Sequence, residues 1–381
     1  MLRTQTRTRR LVLLAATFTA AALLSGAVVT AAASAQEPRA GRADTAVGQV
    51  HLWLPKPMGP YAVGVRSEYV SDPSRIDDAT GRARELPVRV WYPARKHSHG
   101  PSAPYVSPLV EGLLEQTFDA AAGTFDIDTH ATTNAAARPH LRGVVLVQPG
   151  GGSVTAFQTG LIIELASRGY AVVAMEIPHE SEIVEQSDGQ VIMGDGTYPF
   201  ASWRLDAQVV LDDLPRLVPQ AGPRTPIGMF GHSRGGAATI DTMFHDARIR
   251  AGVSLDTGVI LWGSDSTPPS EVTTVGLDRP VGLMCSLEAP CSSPYLLDFV
   301  SRLSGPHREK ELNILHNGYT DFVVFNAEAA QIDPVLGAKL EGEVGDQGWP
   351  TGVGHSLRAG RAALAAQRNF LGGFMDRHVG F

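Results

Sequence analysis

The chain has 381 residues, of which 43% are hydrophobic and 19% are charged. This balance is typical of a large globular core and excludes a disordered chain or a coiled coil. The formal net charge at pH 7 is −7, and we find no basic stripe, which argues against a nucleic-acid partner.

The N-terminal 35 residues have the three parts of a secretory signal peptide. Basic residues over 3–10 precede an apolar stretch over 11–29, and Ala33-Ser34-Ala35 provides the small residues of a cleavage site. We therefore expect secretion, with residues 36–60 as a flexible mature N-terminus. An uncleaved membrane anchor is the alternative, because the apolar stretch is long enough to span a bilayer.

The predicted elements begin with antiparallel strands. The segment Leu86–Pro93 alternates apolar and polar residues, as a half-buried strand does. Residues 94–140 are irregular, with a helix expected over 107–122, and we interpret this segment as a lid or rim. The pair His97 and His99 lies in it without a neighbouring cysteine or carboxylate cluster, which favours a solvated loop over a metal site.

After residue 142, buried strands alternate with helices. This order predicts a mostly parallel sheet of about eight strands with an antiparallel start and helices on both faces, which is the plan of an α/β-hydrolase fold over 61–381. The expected strands cover 143–148, 171–175, 226–230, 251–255, 281–285 and 312–315; the expected helices cover 157–168, 202–218, a segment from about 235, and 356–378; a hairpin turn is expected at 187–189.

The segment Gly231–Gly235 reads Gly-His-Ser-Arg-Gly, which fits the pattern Gly-x-Ser-x-Gly. It follows a buried strand and opens a helix of small residues, which is the strand–turn–helix context of a nucleophile elbow. Ser233 is therefore the predicted nucleophile. A serine hydroxyl needs a histidine base and an orienting carboxylate, but no metal or organic cofactor.

The partners of Ser233 are expected downstream in the order acid and then histidine. Asp256 ends one predicted strand and Glu288 follows the next, so both are candidate acids. His316 follows the strand expected over 312–315, and His355 begins a helix after a loop. The remaining downstream histidines are less suitable: His245 is too near the nucleophile helix, His307 precedes a strand, and His378 lies in the terminal helix.

The oxyanion hole requires two backbone N–H groups. One is expected from Arg234, the residue after the nucleophile, and the other from the loop Pro149–Gly152. Glycines let a main chain approach the substrate closely, and we choose Gly151, with Gly150 as the alternative.

The two cysteines, Cys285 and Cys291, lie six positions apart. In an exported protein their expected state is a disulfide that closes a small loop. Such a short loop restrains the chain locally and adds modestly to global stability.

The sequence resembles the plasma-type, calcium-independent platelet-activating-factor acetylhydrolases and their bacterial esterase and lipase relatives. The resemblance extends from about residue 80 to the end of the chain. It is carried by 86–93, 148–152, 164–169, 231–236, 255–258 and 316–322.

This resemblance implies a secreted serine esterase acting on short-acyl esters, including phospholipids with a short or oxidised sn-2 chain. It also favours Asp256 over Glu288 as the acid and His316 over His355 as the base. The sequence departs from the family at Gln148-Pro149, where many relatives have Ser-His, and at Arg234, where relatives often have an apolar or aromatic residue. We expect the Arg234 side chain to pair with a nearby carboxylate rather than with substrate.

Two other functions fit the same pattern. A triglyceride lipase or a cutinase-like polyester hydrolase would use the same three residues, and its substrate would bring the chain to a lipid or polymer surface. A non-catalytic binding protein on this fold is a further alternative, because fold alone does not fix function. It is the more distant one, because the sequence contains a complete set of serine, acid and histidine candidates. For an enzyme, the expected partner is a small-molecule or lipid ester.

Overall fold

The computed structural model describes residues 51–380 except 97, 197, 258–260, 262, 264–268 and 345–347. The expected signal peptide over 1–35 lies outside the described residues, as do His97 and residues 36–50 of the expected mature N-terminus. The rest of that expected flexible segment is packed: Leu52 and Leu54 are buried in a core cluster. Within the described part of the chain, no helix combines the length and apolarity that a bilayer crossing needs.

Eleven strands and ten α-helices are described, together with short 3₁₀ turns. The strands are β1 (Ala62–Ile76), β2 (Ala83–Ala94), β3 (Ala131–Thr133), β4 (Gly143–Gln148), β5 (Tyr170–Met175), β6 (Ile183–Glu185), β7 (Val191–Met193), β8 (Ile227–His232), β9 (Ile249–Leu255), β10 (Val281–Cys285) and β11 (His307–Glu311). The helices are α1 (Pro108–Thr117), α2 (Thr159–Arg168), α3 (Phe200–Asp212), α4 (Leu214–Leu217), α5 (Arg234–His245), α6 (Val272–Val275), α7 (Pro294–Ser301), α8 (Phe322–Ile332), α9 (Pro334–Leu340) and α10 (Leu357–His378).

Nine strands form one sheet in the order β11-β10-β9-β8-β4-β5-β2-β1-β3. The strand β2 runs antiparallel to both β1 and β5. The neighbouring strands of the run β5-β4-β8-β9-β10-β11 all pair in parallel. The mostly parallel sheet with an antiparallel start is therefore confirmed, and the fold is that of an α/β-hydrolase. The short strands β6 and β7 form the expected hairpin outside this sheet.

The central strands are mostly apolar because both faces of the sheet are covered. In β4, Val145 and Val147 pack with α2 and α10 on one face, whereas Val144 and Leu146 pack with α3 and α5 on the other. Side chains alternate between the faces of a strand, so a continuous run of valine and leucine supplies both cores.

The last strand lies five residues before the predicted one. We expected a strand over 312–315, but β11 covers His307–Glu311, an edge strand with four exposed positions. The apolar residues after it belong to a loop, where Ile314 is 2% exposed and fills the core. The prediction was wrong because an edge strand has no buried apolar pattern, while a core-facing loop imitates one.

The helix expected over 202–218 is also interrupted. The helix α3 ends at Asp212, and α4 begins at Leu214 with Pro215 in its first turn. Proline lacks the N–H that a continuing helix needs, so the break is a direct effect of Pro215.

The expected lid or rim segment over 94–140 is packed against the rest of the fold. Its apolar side chains Leu114 and Phe118 join a third core cluster with Phe157 and Phe322. The helix within it, α1, is shorter than the predicted 107–122, and a lid movement stays a prediction.

Candidate active site

Ser233 occupies a sharp turn between β8 and α5. Its backbone is left-handed, with φ 53° and ψ −120°, which is strained for a residue other than glycine. A Cβ on Gly231 would lie 2.3 Å from the carbonyl carbon of Gly235, and a Cβ on Gly235 would lie 2.3 Å from Pro149 O. The two glycines of the motif are therefore required by close backbone contacts on both sides of the serine.

Asp256 follows β9 directly and is 2% exposed. Its Oδ1 accepts the backbone N–H of Ser286 at 2.8 Å, and its Oδ2 accepts the Ser286 hydroxyl at 2.8 Å. The same Oδ2 lies 2.6 Å from His316 Nδ1. Because an ionised carboxylate only accepts hydrogen bonds, this contact assigns the proton to Nδ1 and leaves Nε2 as the basic nitrogen of His316.

His316 begins a 3₁₀ turn that follows the loop after β11. Its backbone N–H donates to Glu288 Oε2 at 2.6 Å, and its carbonyl accepts His232 Nε2–H at 3.1 Å. The rings of His232 and His316 lie with their centroids 4.5 Å apart. Burial and the neighbouring His316 hold the pKa of His232 well below its usual value, so His232 is a neutral donor at pH 7.

The structure brings Asp256 and His316 together and separates them from their alternatives. Glu288 contacts the main chain of His316 rather than its ring. His355 is exposed, and its Nε2 lies 3.6 Å from Glu343 Oε1. No hydrogen bond between Ser233 Oγ and His316 Nε2 occurs among the described residues, and such contacts often tighten only when substrate binds.

The glycine loop after β4 lies against the elbow. A Cβ on Gly150 would lie 3.5 Å from Ser233 Cβ, and a Cβ on Gly151 would lie 2.6 Å from Arg234 Cδ. The next N–H, that of Gly152, donates to Glu180 O at 2.8 Å. Within the described part of the chain, the N–H groups of Gly150, Gly151 and Arg234 have no acceptor. Both predicted glycines are thus available, and the choice of Gly151 stays a prediction.

No family model matches the chain. A curated relative described as a probable 1-alkyl-2-acetylglycerophosphocholine esterase, from Arthroderma benhamiae, is 30% identical over an alignment of 236 residues, and the match covers 55% of this chain and 59% of the relative. The chain thus matches less than two thirds of that relative's length. A solved structure described as ferulic acid esterase from Streptomyces cinnamoneus has a TM-score of 0.66 and 27% identity, and the match covers 86% of this chain and 93% of that one.

The chain is therefore similar to an esterase described as acting on an acetylated phospholipid and to a ferulic acid esterase. The resemblance drawn from the motifs is confirmed by the curated relative. The substrate in its description, 1-alkyl-2-acetylglycerophosphocholine, is platelet-activating factor. Both similar proteins are described as esterases.

In this candidate site, the Arg234 side chain pairs with a carboxylate, as expected. Its Nη1 lies 3.2 Å from Glu180 Oε2, and the Glu180 side chain is fully buried. The guanidinium also lies over the Trp203 ring, 5.9 Å from its centroid. Burial raises the pKa of Glu180, and the charge of Arg234 opposes that rise.

Cys285 and Cys291 form a disulfide, with their Cα atoms 5.4 Å apart. The loop that they close carries Ser286, which contacts Asp256, and Glu288, which contacts His316. Among the described residues, no group of three or more His, Cys, Asp or Glu side chains is arranged to hold a metal ion.

Sequence reasoning missed three residues of the candidate site: His232, Glu180 and Ser286. Ser286 had an available signal, because it directly follows β10 and the carboxyl ends of parallel strands meet at one edge of the sheet. His232 adjoins the predicted nucleophile in sequence, but its role depends on a ring position that no motif gives. Glu180 lies in the segment 179–200, where no pattern indicated a functional residue.

Proposed function

We propose that this chain is a secreted serine carboxylic-ester hydrolase that uses Ser233, His316 and Asp256. The observation that carries the proposal is the 2.6 Å contact between His316 Nδ1 and the buried Asp256 carboxylate. A carboxylate that fixes an imidazole tautomer, near a serine in a strained strand–helix turn, is the arrangement that serine acyl transfer requires.

In the first step, His316 Nε2 takes the proton from Ser233 Oγ as that oxygen attacks the ester carbonyl. The N–H groups of Gly151 and Arg234 donate to the oxyanion that develops on the substrate. The imidazolium is stabilised by Asp256, and it then protonates the departing alcohol. The product of this step is an acyl-enzyme on Ser233.

In the second step, His316 takes a proton from water, and the resulting nucleophile attacks the acyl-enzyme. The carboxylic acid leaves, and the proton returns from His316 to Ser233 Oγ. Every proton in this cycle is held by a residue of the chain or by water, so the step sequence uses no further group.

Short-acyl esters are the proposed substrate class, including phospholipids with a short or oxidised sn-2 chain. The curated relative, whose described substrate bears a 2-acetyl group, supports this class. A ferulate ester is the second candidate, because the solved ferulic acid esterase matches 86% of this chain. A triglyceride lipase or polyester hydrolase would differ from both in its preference for long or polymeric acyl groups.

The test is the rate of hydrolysis by the purified mature protein across esters from acetyl to palmitoyl, with methyl ferulate added and Ser233→Ala as control. We expect acetyl and propionyl esters to be fastest and the variant to be inactive. Fastest turnover of palmitoyl esters would make the protein a lipase, and fastest turnover of methyl ferulate would make it a feruloyl esterase.

A fluorophosphonate distinguishes an enzyme from a binding protein on the same fold. It should label the wild-type chain covalently and leave Ser233→Ala unlabelled. Labelling of both proteins would exclude Ser233 as the nucleophile. If neither protein is labelled and neither hydrolyses an ester, the non-catalytic alternative is favoured.

Secretion is proposed from the signal-like N-terminus. Export followed by N-terminal sequencing of the mature protein should give a first residue at Gln36. Recovery of an intact N-terminus in the membrane fraction would instead support the anchor.

A further inference from the structure

The disulfide loop from Cys285 to Cys291 contacts both the acid and the base of the proposed site. Ser286 donates its N–H and its hydroxyl to the Asp256 carboxylate, each at 2.8 Å. Two residues further on, Glu288 Oε2 accepts the backbone N–H of His316 at 2.6 Å. One loop of seven residues thus touches two groups that come from different strands.

Further hydrogen bonds attach this loop to the chain that carries His316. Leu287 N–H donates to Ile314 O at 3.0 Å, close to the position of the base. In the other direction, Cys285 O accepts the Leu312 N–H at 2.9 Å and the Tyr319 hydroxyl at 2.6 Å. At the far end, Cys291 N–H donates to Glu311 Oε2 at 3.0 Å.

The His316 backbone is the part of the base that most needs such support. It opens a 3₁₀ turn, so its N–H has no carbonyl partner within that turn. A carboxylate is a strong acceptor for this group, because the hydrogen bond is charge-assisted. Loss of the acceptor would let the turn shift, and a shift of about 1 Å in a catalytic group can cost about 100-fold in rate.

We propose that Glu288 is a positioning residue for His316 and that the Cys285–Cys291 disulfide holds Glu288 in place. The idea rests on the proposed function insofar as His316 is the base. Glu288 touches no substrate atom in this scheme; it acts through the main chain of His316. The disulfide contributes by limiting the conformations that the exposed Glu288 loop would otherwise sample.

The first test compares Glu288→Ala with Glu288→Gln. Alanine removes the acceptor, and we expect kcat to fall about tenfold while KM changes less than twofold. Glutamine keeps an acceptor oxygen, so its kcat should stay within about threefold of wild type. Glu309→Ala is the matched control, because Glu309 is an exposed carboxylate on the neighbouring strand β11. Equal losses in the alanine and glutamine variants, or a wild-type kcat in Glu288→Ala, would overturn the proposal.

A spectroscopic measurement tests positioning without reference to hydrolysis. The His316 Nδ1 proton, shared with Asp256, should give a downfield proton NMR resonance that Asp256→Asn removes. We expect this resonance to be broadened in Glu288→Ala and retained in Glu309→Ala. An unchanged resonance in Glu288→Ala would contradict the proposal. If the wild type gives the resonance but hydrolyses no ester, and Glu288→Ala loses the resonance, the proposed function is rejected and the positioning role of Glu288 stands.

Reduction of the disulfide tests the second half of the proposal. A reductant should lower kcat of the wild type by about the factor found for Glu288→Ala, and it should add little to the loss in that variant. The double variant Cys285→Ser with Cys291→Ser controls for other effects of the reductant. Because it has no disulfide, its kcat should not change when the reductant is added. A full additional loss on reduction of Glu288→Ala would show that the disulfide does not act through Glu288.

Discussion

At the scale of the residue, the candidate acid Asp256 is distinguished by hydrogen bonds to both of its carboxylate oxygens. Asp256 is buried and accepts hydrogen bonds from Ser286 and His316 on both carboxylate oxygens. The sequence alone left Asp256 and Glu288 open, because both follow strands that end at the same edge of the sheet. What separates them is side-chain direction: one reaches the ring of His316 and the other reaches its main chain.

The first residue-scale prediction concerns Asp256→Asn. The amide can donate to His316 Nδ1 and thereby favour the tautomer whose Nε2 bears the proton and cannot act as a base. We expect kcat to fall by about 10³ to 10⁴ with little change in KM, measured on a short-acyl ester. Asp298→Asn, which alters an exposed pair with Arg302, should keep the wild-type rate. A fall of less than tenfold in Asp256→Asn would reject Asp256 as the acid.

The second residue-scale prediction concerns the pair of Arg234 and Glu180. Removal of Arg234 by Arg234→Met leaves the Glu180 carboxylate buried without its cation. We expect a loss of about 3 kcal/mol in unfolding free energy, at the low end for buried pairs because Arg234 keeps partial exposure. Urea denaturation measures this value.

The matching variant is Arg234→Met combined with Glu180→Gln. It no longer buries an unpaired charge, so it should recover at least half of the lost stability. If the two changes instead add their separate losses, the pair is not coupled and Glu180 is stabilised by other groups.

At the scale of the element, hydrophobic patterns predicted the strands that are buried on both faces. The apolar runs over 143–148 and 281–285 coincide with β4 and β10. The same reasoning misplaced β11, because an edge strand of charged residues carries no such run. The choice of His316 as the predicted base does not depend on this error, because residues 312–315 lead directly to His316 whether they form a strand or a loop.

At the element scale, alanine substitutions of two glycines in α10 should change the unfolding free energy in opposite directions. A Cβ on Gly360 would lie 2.0 Å from the backbone oxygen of Val323 in α8, whereas a Cβ on Gly373 would meet nothing within 4 Å. Gly373→Ala should therefore raise the unfolding free energy by about 0.5–1 kcal/mol through helix propensity. Gly360→Ala should lower it, because the two helices must separate.

Thermal unfolding of both alanine variants against the wild type measures these changes. A destabilised Gly373→Ala would mean that the position is not free in solution. A neutral Gly360→Ala would mean that α8 and α10 can move apart without loss, which their shared core contacts argue against.

At the scale of the whole molecule, buried carboxyl groups make folding stability depend on pH. Asp321 is 1% exposed, and burial raises its pKa to about 7. Hydrogen bonds from the Gly160 N–H at 2.9 Å and the Tyr105 hydroxyl at 3.0 Å act in the opposite direction. The folded state therefore holds this proton over a pH range in which the unfolded chain has already released it.

The sign of the effect follows from that difference. Since the folded pKa lies above the unfolded one, this group's contribution to stability is greatest below about pH 4, declines as pH rises to about 7, and is constant above that. Asp321→Asn removes this contribution, so its stability relative to wild type should rise between pH 4 and 7. Urea denaturation across this range measures it, and parallel curves for the two proteins would contradict the assignment.

Tyr105→Phe provides the companion variant. It removes a hydrogen bond that favours the ionised carboxylate, so the pH-dependent decline should extend above pH 7. A decline that ends at the same pH as in the wild type would show that the hydroxyl has no effect on Asp321.

The charged edge of the sheet has a consequence for how the molecule behaves in concentrated solution. An unpaired strand offers free N–H and C=O groups on which another chain can build, and long apolar edges are common starting points for aggregation. The strand β11 is short and reads His-Arg-Glu-Lys-Glu, with four of its five residues exposed. Any chain that paired with it would have to bring its own strand against this row of charges. The charged composition of β11, which gives no apolar strand pattern in the sequence, thus also protects the protein against edge-to-edge polymerisation.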